Sequence, residues 1–229
     1  MNKYSFLGLI LGFTFISSSA FAAVDPEVSY ILNTLLFLIG GFLVMWMAAG
    51  FAMLESGLVT SKSVATIAAK NIGLYSIAGL MFWFVGYNLA YGIPEGGFIG
   101  TFLPWSDASS IETGYSDGSD WFFQMVFCAT TCSIVSGTMA ERIKIWPFFL
   151  FCAVLAGIIY PIEMGWQWGG GHLAAAGFSD FAGSTVVHAT GAAAALAGAI
   201  VIGARHGRYK DDGSVIPMPG SNLPLATLG

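Results

Sequence analysis

The sequence predicts an all-α polytopic membrane protein, and three observations support this fold class. Of its 229 residues, 56% are hydrophobic and only 9% are charged, whereas soluble domains carry about 25% charged residues. Aromatic residues reach 15% and glycine occurs 30 times, a combination typical of proteins in lipid bilayers. The apolar residues also fall into five runs that are each long enough to cross a membrane.

The composition excludes several other classes of protein. Intrinsic disorder requires many charges and few apolar residues, which is the reverse of this sequence. A formal net charge of −5 argues against a nucleic-acid partner, because such partners require basic patches. Three cysteines are too few for a disulfide scaffold in a chain of this length.

Residues 1–22 are predicted to form a secretory signal peptide. Lys3 supplies the positive n-region, Leu7–Ile16 the apolar core, and the Ala-Phe-Ala sequence ending at Ala22 the cleavage site. The alternative is a first transmembrane helix, but the apolar run is shorter than the roughly 20 residues that span a bilayer. We therefore expect residues 23–229 to form the mature membrane domain.

Five apolar segments follow, and each is predicted to form a complete transmembrane helix. They lie near residues 28–57, 63–92, 120–140, 144–163 and 180–204. All reach the length of about 20 residues that a span needs, and the longer ones can cross at a tilt. The connection 93–119 is rich in Gly, Ser and Asp, and is expected to be exposed. A sixth helix begins near Leu223 and is cut off by the end of the sequence, which we interpret as a fragment of a longer protein.

The basic residues predict the orientation of these helices. Seven of them fall near alternate connections: Lys62, Lys70, Arg142, Lys144, Arg205, Arg208 and Lys210. The other connections contain acidic residues but no Lys or Arg. Because basic residues favour the cytoplasmic side, we expect a bacterial inner-membrane protein whose mature N-terminus lies outside.

Two ionisable residues near the fifth helix are the strongest candidates for function. His188 is placed two turns inside the predicted helix, roughly 12 Å below Asp180 at about 1.5 Å per residue. Ionisable groups inside a membrane usually face a pathway or a partner. A core histidine bonded to a carbonyl and a plain helix cap for Asp180 are the structural alternatives. A buried cap could also stabilise a nearby cation without touching it.

Aromatic residues at the outer ends of the third and fourth helices could bind a cation. Phe123 and Phe127 share one helix face at the i, i+4 spacing, with Gln124 beside them. Ordinary packing is the usual reason for such a pair. Trp168 precedes three glycines at residues 169–171, which would allow a close backbone approach or a sharp bend. An indole face is the best platform for a cation–π contact, although interfacial tryptophans are also common anchors.

Other polar and small residues have structural interpretations. Glu55 and Lys70 could meet as a buried ion pair between the first two helices. Small residues every four positions predict a packing face on the fifth helix: Gly191, Ala195, Ala199 and Gly203. Cys128 and Cys132 have no evident His or carboxylate partner for a metal. Since no catalytic motif is present, we expect that the protein is not an enzyme and has no cofactor and no metal site.

Five motifs resemble the ammonium transporter family (Amt/Mep/Rh), of which this chain would be the N-terminal half. The most specific are the motif at the start of the fifth helix that ends in His188 and the WGGG sequence before it. The motifs are DFAGSTVVH (180–188), WGGG (168–171), GTMAERI (137–143), FFQMVF (122–127) and AGFAMLESGLV (49–59). The resemblance implies an eleven-helix inverted-repeat fold, a homotrimer with a pore in each subunit, and a C-terminal tail that meets a regulatory signalling protein.

The resemblance also implies roles for matching residues. Trp168 and Phe123 would line an outer vestibule that recruits ammonium by cation–π contact, and Asp180 would stabilise this site indirectly. Gln124 would lie near the region of recruitment and deprotonation. Phe127 would be one of two stacked phenyl rings that gate the pore.

His188 would be the first of two histidines in a narrow hydrophobic pore. Bare ammonium enters hydrocarbon only at a high free-energy cost, whereas neutral ammonia passes more easily and a histidine can carry the proton separately. Potassium has no proton to lose and would be excluded. In this family the second histidine, the second gate phenylalanine and a vestibule serine lie beyond Gly229.

Two other functions remain as alternatives. An ammonium sensor would use the same binding residues, Trp168 and Asp180, and would signal through a C-terminal domain. An intramembrane enzyme or an unrelated solute channel is the third hypothesis. Uptake and electrogenic current in the full-length protein would separate transport from sensing.

Overall fold

The computed structural model describes residues 24–229, which fold into a bundle of long helices. They are α1 (Pro26–Leu58), α2 (Ser61–Tyr91), α3 (Asp117–Met139), α4 (Ile145–Ala175), α5 (Ser184–Ile202) and the short α6 (Leu223–Leu228). The first five are long and apolar enough to cross a membrane, as predicted. The predicted signal peptide at residues 1–22 lies outside the described residues.

The helix boundaries differ from the predicted ones mainly in α4 and α5. α4 continues to Gln167, four residues beyond the predicted end, and resumes at His172–Ala175 after the glycine turn. α5 begins at Ser184 rather than at residue 180. Asp180 therefore lies in the turn before the helix, and the regular helical rise assumed between Asp180 and His188 does not apply to residues 180–183.

α3 is the central helix of the bundle. It contacts α1, α2 and α5, and its Cys128 and Cys132 side chains are fully buried. The predicted small-residue face of α5 packs against it: a Cβ added at Gly191 would lie 2.9 Å from the Cβ of Ile134 in α3. Gly203 instead ends α5 with a positive φ of 79°.

α1 has a largely exposed apolar surface. Trp46 is 69% exposed, and Leu36 and Leu43 are also exposed. A helix that is apolar on most sides belongs in lipid or against further apolar helices. α3 is thus largely buried and α1 largely exposed, although both have the length and composition of a membrane span.

The predicted ion pair between Glu55 and Lys70 is confirmed. Lys70 Nζ lies 3.2 Å from Glu55 Oε2, and both side chains are buried. Ser136 of α3 joins the pair, since its hydroxyl donates to Glu55 at 2.8 Å and its carbonyl accepts from Lys70 at 2.7 Å. The Lys70 ammonium also lies 5.0 Å from the centre of the Phe148 ring. The pair links α1, α2, α3 and α4, which supports the structural interpretation.

Basic residues cluster at the end of the bundle where α1, α3 and α5 terminate, which we call the arginine end. Arg142 donates to the carbonyl of Gly203 at 2.7 Å, beside the C-terminus of α5. Arg205 lies 3.0 Å from the Glu141 carboxylate. A cation at a helix C-terminus stabilises the partial negative charge there, so these contacts fasten α3 to α5.

Candidate functional site

A cavity of about 540 Å³ lies at the end opposite the arginine end, and we call it the aromatic cavity. Its walls come from α1, α2, α3, α4 and the two connections at this end. The lining residues are Phe37, Tyr87, Tyr91, Tyr115, Asp120, Phe123, Gln124, Phe127, Trp168 and Phe181. Four of the six predicted site residues are therefore brought together in one cavity.

The aromatic rings of this cavity contact one another edge to face. The ring centres of Phe123 and Phe127 are 5.1 Å apart with planes at 84°, and those of Phe127 and Trp168 are 5.4 Å apart at 64°. Phe37 of α1 packs against Phe123 at 5.5 Å. Aromatic ring faces carry partial negative charge and attract cations, so the cavity is suited to a small cation.

Trp168 is fixed in the cavity wall by its own hydrogen bond. Its indole Nε1 donates to the main-chain carbonyl of Asp180 at 2.6 Å. The glycine turn that follows it is sterically required, because a Cβ at Gly169 would lie 2.0 Å from the carbonyl oxygen of Ala90. Gly170 has a φ of 76°, which favours glycine. Both predicted uses of the triple glycine, close approach and a sharp bend, are confirmed.

Asp180 caps the N-terminus of α5. Its carboxylate accepts five hydrogen bonds of 2.6–3.1 Å, from the N–H groups of Gly183, Ser184, Thr185 and Val186 and from the Thr185 hydroxyl. Burial raises the pKa of Asp180, but these hydrogen bonds outweigh that effect and lower it to about 2. Its carboxylate is not part of the cavity wall.

His188 lies in the first turns of α5, away from the aromatic cavity. These turns are wide: the His188 N–H donates to the carbonyl of Gly183, five residues earlier, at 3.0 Å. Wide turns of this kind are frequent at functional sites. The His188 side chain is exposed on a face of α5 that no other described element covers. Within residues 24–229 it is therefore not the carbonyl-bonded core histidine of the structural alternative.

Sequence reasoning missed several residues of the cavity wall. Tyr87 and Tyr91 have the same i, i+4 spacing as the phenylalanine pair, and this pattern could have identified them. Asp120 was not singled out from the other acidic residues, although it is just 6% exposed in the first turn of α3. Phe37 and Tyr115 carry no local sequence signal that points to the cavity.

The five apolar helices and the aromatic cavity between them define a multi-pass membrane protein with a site suited to a small cation. The chain belongs to the Ammonium Transporter Family, whose model matches residues 35–229. The fold is all-α and resembles solved Amt and Mep structures over about 90% of the chain. The sequence-based resemblance to this family is thus confirmed.

The chain is similar to several curated and solved proteins of this family. "Ammonium transporter Amt2" of Archaeoglobus fulgidus is 43% identical over 84% of this chain and 43% of its own length. The solved "Sensor Amt Protein" has a TM-score of 0.80 and 35% identity, covering 89% of this chain and 52% of its own. Candida albicans Mep2 has a TM-score of 0.73 at 24% identity, with 90% and 46% coverage, and shows the fold alone.

The chain spans about half the length of these relatives. The named relatives are transporters or a sensor rather than enzymes, in agreement with the expectation that this chain carries no catalytic site.

Proposed function

We propose that the full-length protein moves ammonium nitrogen across the membrane, recruiting the cation at the aromatic cavity. The observation that carries this proposal is the contiguous contact of Phe123, Phe127 and Trp168 in one cavity. Aromatic faces replace part of the water around a cation while leaving its charge intact. Recruitment is therefore assigned to Trp168 and Phe123, with Gln124 beside them.

Passage then requires loss of a proton. A charged ammonium ion cannot cross hydrocarbon cheaply, whereas ammonia can. Phe127 contacts the rings of both Phe123 and Trp168, and we assign it the role of a gate. His188 follows on α5 and is proposed to line the pore and relay the proton, since the unperturbed imidazole pKa is close to neutrality. An ion that has no proton to lose, such as potassium, would stay charged and would therefore be excluded from the pore.

Asp180 is proposed to support this site by holding other residues in place and not by contacting the cation. Five hydrogen bonds tie its carboxylate to the start of α5, and its carbonyl holds Trp168. The residue therefore joins the recruitment wall to the helix that carries His188. Its negative charge still favours a cation nearby, as an indirect effect.

The family and the distribution of charge support a proposal for the assembly and location of the protein. We propose a homotrimer in the bilayer of the bacterial inner membrane, with the aromatic cavity and the mature N-terminus outside. Residues 1–22 would be removed as a signal peptide. The portion of the protein matching the remainder of its relatives would supply the second histidine, the second gate phenylalanine and the tail that meets a regulatory signalling protein.

Flux measurements on the full-length protein test the proposal. Liposomes containing the protein should accumulate ammonium faster than empty liposomes, and the rate should saturate with concentration. Potassium at equal concentration should give no comparable flux. Ammonium flux equal to that of empty liposomes would overturn the transport proposal.

Sensing is the second candidate, favoured by the 35% identity to a solved sensor Amt protein. A sensor would bind ammonium at the aromatic cavity and conduct poorly. Saturable ammonium binding without flux or electrogenic current in the full-length protein would support sensing. Binding together with flux would support transport.

A further inference from the structure

We propose that Asp120 and Gln124 form an acceptor wall that binds the N–H groups of the ammonium ion directly inside the aromatic cavity. This inference rests on the proposed function and adds a hydrogen-bonding half to a site otherwise made of aromatic faces. In this proposal the carboxylate that contacts the ammonium ion is that of Asp120 and not that of Asp180.

Asp120 is a buried carboxylate that faces the cavity. It lies in the first turn of α3, is 6% exposed and is part of the cavity wall. The Tyr87 hydroxyl donates to its Oδ2 at 2.6 Å, and the Gln124 side-chain amide donates to its Oδ1 at 3.3 Å. No Lys or Arg is among the lining residues of this cavity in the described chain, so no neighbouring side chain neutralises the charge.

The acceptors in this wall outnumber the donors. An ionised carboxylate offers about four lone-pair sites, and the two donors described occupy two of them at Asp120. The Gln124 Oε1 atom is buried and has no hydrogen-bond partner in residues 24–229. Buried polar atoms are nearly always paired, so this surplus of acceptors calls for a ligand that donates hydrogen bonds.

The Asp180 carboxylate, unlike that of Asp120, has its acceptor sites filled and is therefore not the group that contacts the cation. Its two oxygens already accept five hydrogen bonds from the start of α5. Asp120, by contrast, lines the cavity and accepts two hydrogen bonds within residues 24–229, so it keeps acceptor sites for a ligand. Of these two carboxylates, Asp120 is therefore the one with acceptor sites left for a cation in the cavity.

Ammonium matches the combined chemistry of the two walls. It has one positive charge and four N–H donors, so it can donate to Asp120 and Gln124 while other N–H groups face the aromatic rings. A potassium ion can also be coordinated by these oxygens, but it needs a full shell of oxygen ligands, and aromatic residues form the rest of the cavity wall. The acceptor wall should therefore contribute to preference for ammonium over potassium.

Binding of ammonium chloride to the full-length protein tests this inference, with sodium chloride and potassium chloride as reference salts. Asp120→Asn should weaken ammonium binding at least about tenfold, the scale of a lost charge-assisted hydrogen bond. Asp117→Asn is the matched control, because Asp117 lies in the same helical turn, bonds to the Ala108 N–H and is not part of the cavity wall. It should bind ammonium like the unaltered protein.

Gln124→Leu provides a second test that keeps the Asp120 charge. It removes the unpaired Oε1 acceptor and should reduce the preference for ammonium over potassium severalfold. Unaltered ammonium binding in folded Asp120→Asn, or unaltered selectivity in Gln124→Leu, would overturn the inference. If the unaltered protein binds ammonium but shows no flux, the transport proposal fails while the acceptor wall stands. The reason is that binding tests the acceptor wall and flux tests transport.

Discussion

Asp120 and Asp180 lie at the same end of the bundle, yet different numbers of donors surround their carboxylates. Four main-chain N–H groups and one hydroxyl reach Asp180, because the start of a helix leaves its first N–H groups unpaired. Asp120 lies inside a helix turn, and within residues 24–229 its carboxylate accepts hydrogen bonds from just two side chains. The same residue type therefore stabilises structure at one position and faces the cavity at the other.

Replacing Trp168 with leucine tests the aromatic wall. Trp168→Leu removes the indole face and the hydrogen bond to the Asp180 carbonyl. The ammonium concentration for half-maximal uptake should rise about 2- to 30-fold, which corresponds to the loss of one cation–π contact. Initial uptake rates at low and high ammonium measure this change.

Trp146→Leu is the matched control for this prediction. Trp146 lies on the same helix, α4, but at its opposite end, and its side chain is 77% exposed. This variant should retain the original concentration dependence. An unchanged half-maximal concentration in Trp168→Leu would remove Trp168 from the recruitment step.

His188→Ala tests the proposed proton relay. Because His188 is exposed in the described chain, its loss removes no packing within residues 24–229. We expect reduced proton-coupled ammonium current or loss of selectivity against potassium, measured electrically on the full-length protein in supported membranes. His206→Ala, which changes an exposed histidine at the arginine end, should leave both quantities unchanged. Equal current and selectivity in His188→Ala would contradict its role.

At the scale of the helices, α3 holds both the cavity and the buried ion pair. Its first turns supply Asp120, Phe123 and Gln124 to the cavity, and its last turns supply Ser136 to the Glu55–Lys70 pair. Contacts with α1, α2 and α5 fix the rotation of this helix. Packing at one end of α3 therefore helps to set the side-chain directions at the other.

Breaking the ion pair should destabilise the helix packing. Lys70→Met leaves the Glu55 charge buried without its partner and should lower the free energy of unfolding by about 3–5 kcal/mol. The double variant Glu55→Gln with Lys70→Met should recover most of this loss, since no uncompensated charge remains. Unfolding of the full-length protein in detergent measures both effects.

Lys62→Met is the control for the ion-pair variants. Lys62 follows α1 at the same end of the bundle, but its side chain is exposed. This substitution should change stability by less than about 0.5 kcal/mol. If Lys70→Met were as stable as Lys62→Met, the pair would have no structural role.

At the scale of the whole molecule, the segregation of charge predicts the orientation in the membrane. The basic residues near Lys62, Lys144 and Lys210 follow α1, α3 and α5, whereas the cavity end has acidic connections without Lys or Arg. By the positive-inside rule we expect the arginine end to face the cytoplasm. With this orientation the aromatic cavity would open toward the outside, where an external cation would arrive.

Reporter fusions test this orientation. Alkaline phosphatase, which is active only outside the cytoplasm, should be active when fused after Gly97 or Gly177. Green fluorescent protein, which fluoresces after cytoplasmic folding, should be bright after Lys144 or Lys210. The reverse pattern at these four positions would show that the aromatic cavity faces the cytoplasm.

Much of the site was predictable from the sequence, and the limits have physical reasons. Phe123, Phe127 and Gln124 share a helix turn, so local spacing and family motifs identified them together. Trp168 was marked by the glycines that follow it. Asp120 was missed because its burial depends on Tyr87, which lies 33 residues earlier in the chain on a different helix.

The sequence by itself determined the five apolar helices, the segregation of the basic residues and the family, because hydrophobic length, charge and short motifs are local properties of the chain. Only the tertiary structure decided that Asp180 lies outside α5 with its acceptors filled, and that Asp120 faces the cavity with acceptors to spare. The reason is that hydrogen-bond partners from different elements meet through the rotation and packing of whole helices, which no single segment specifies.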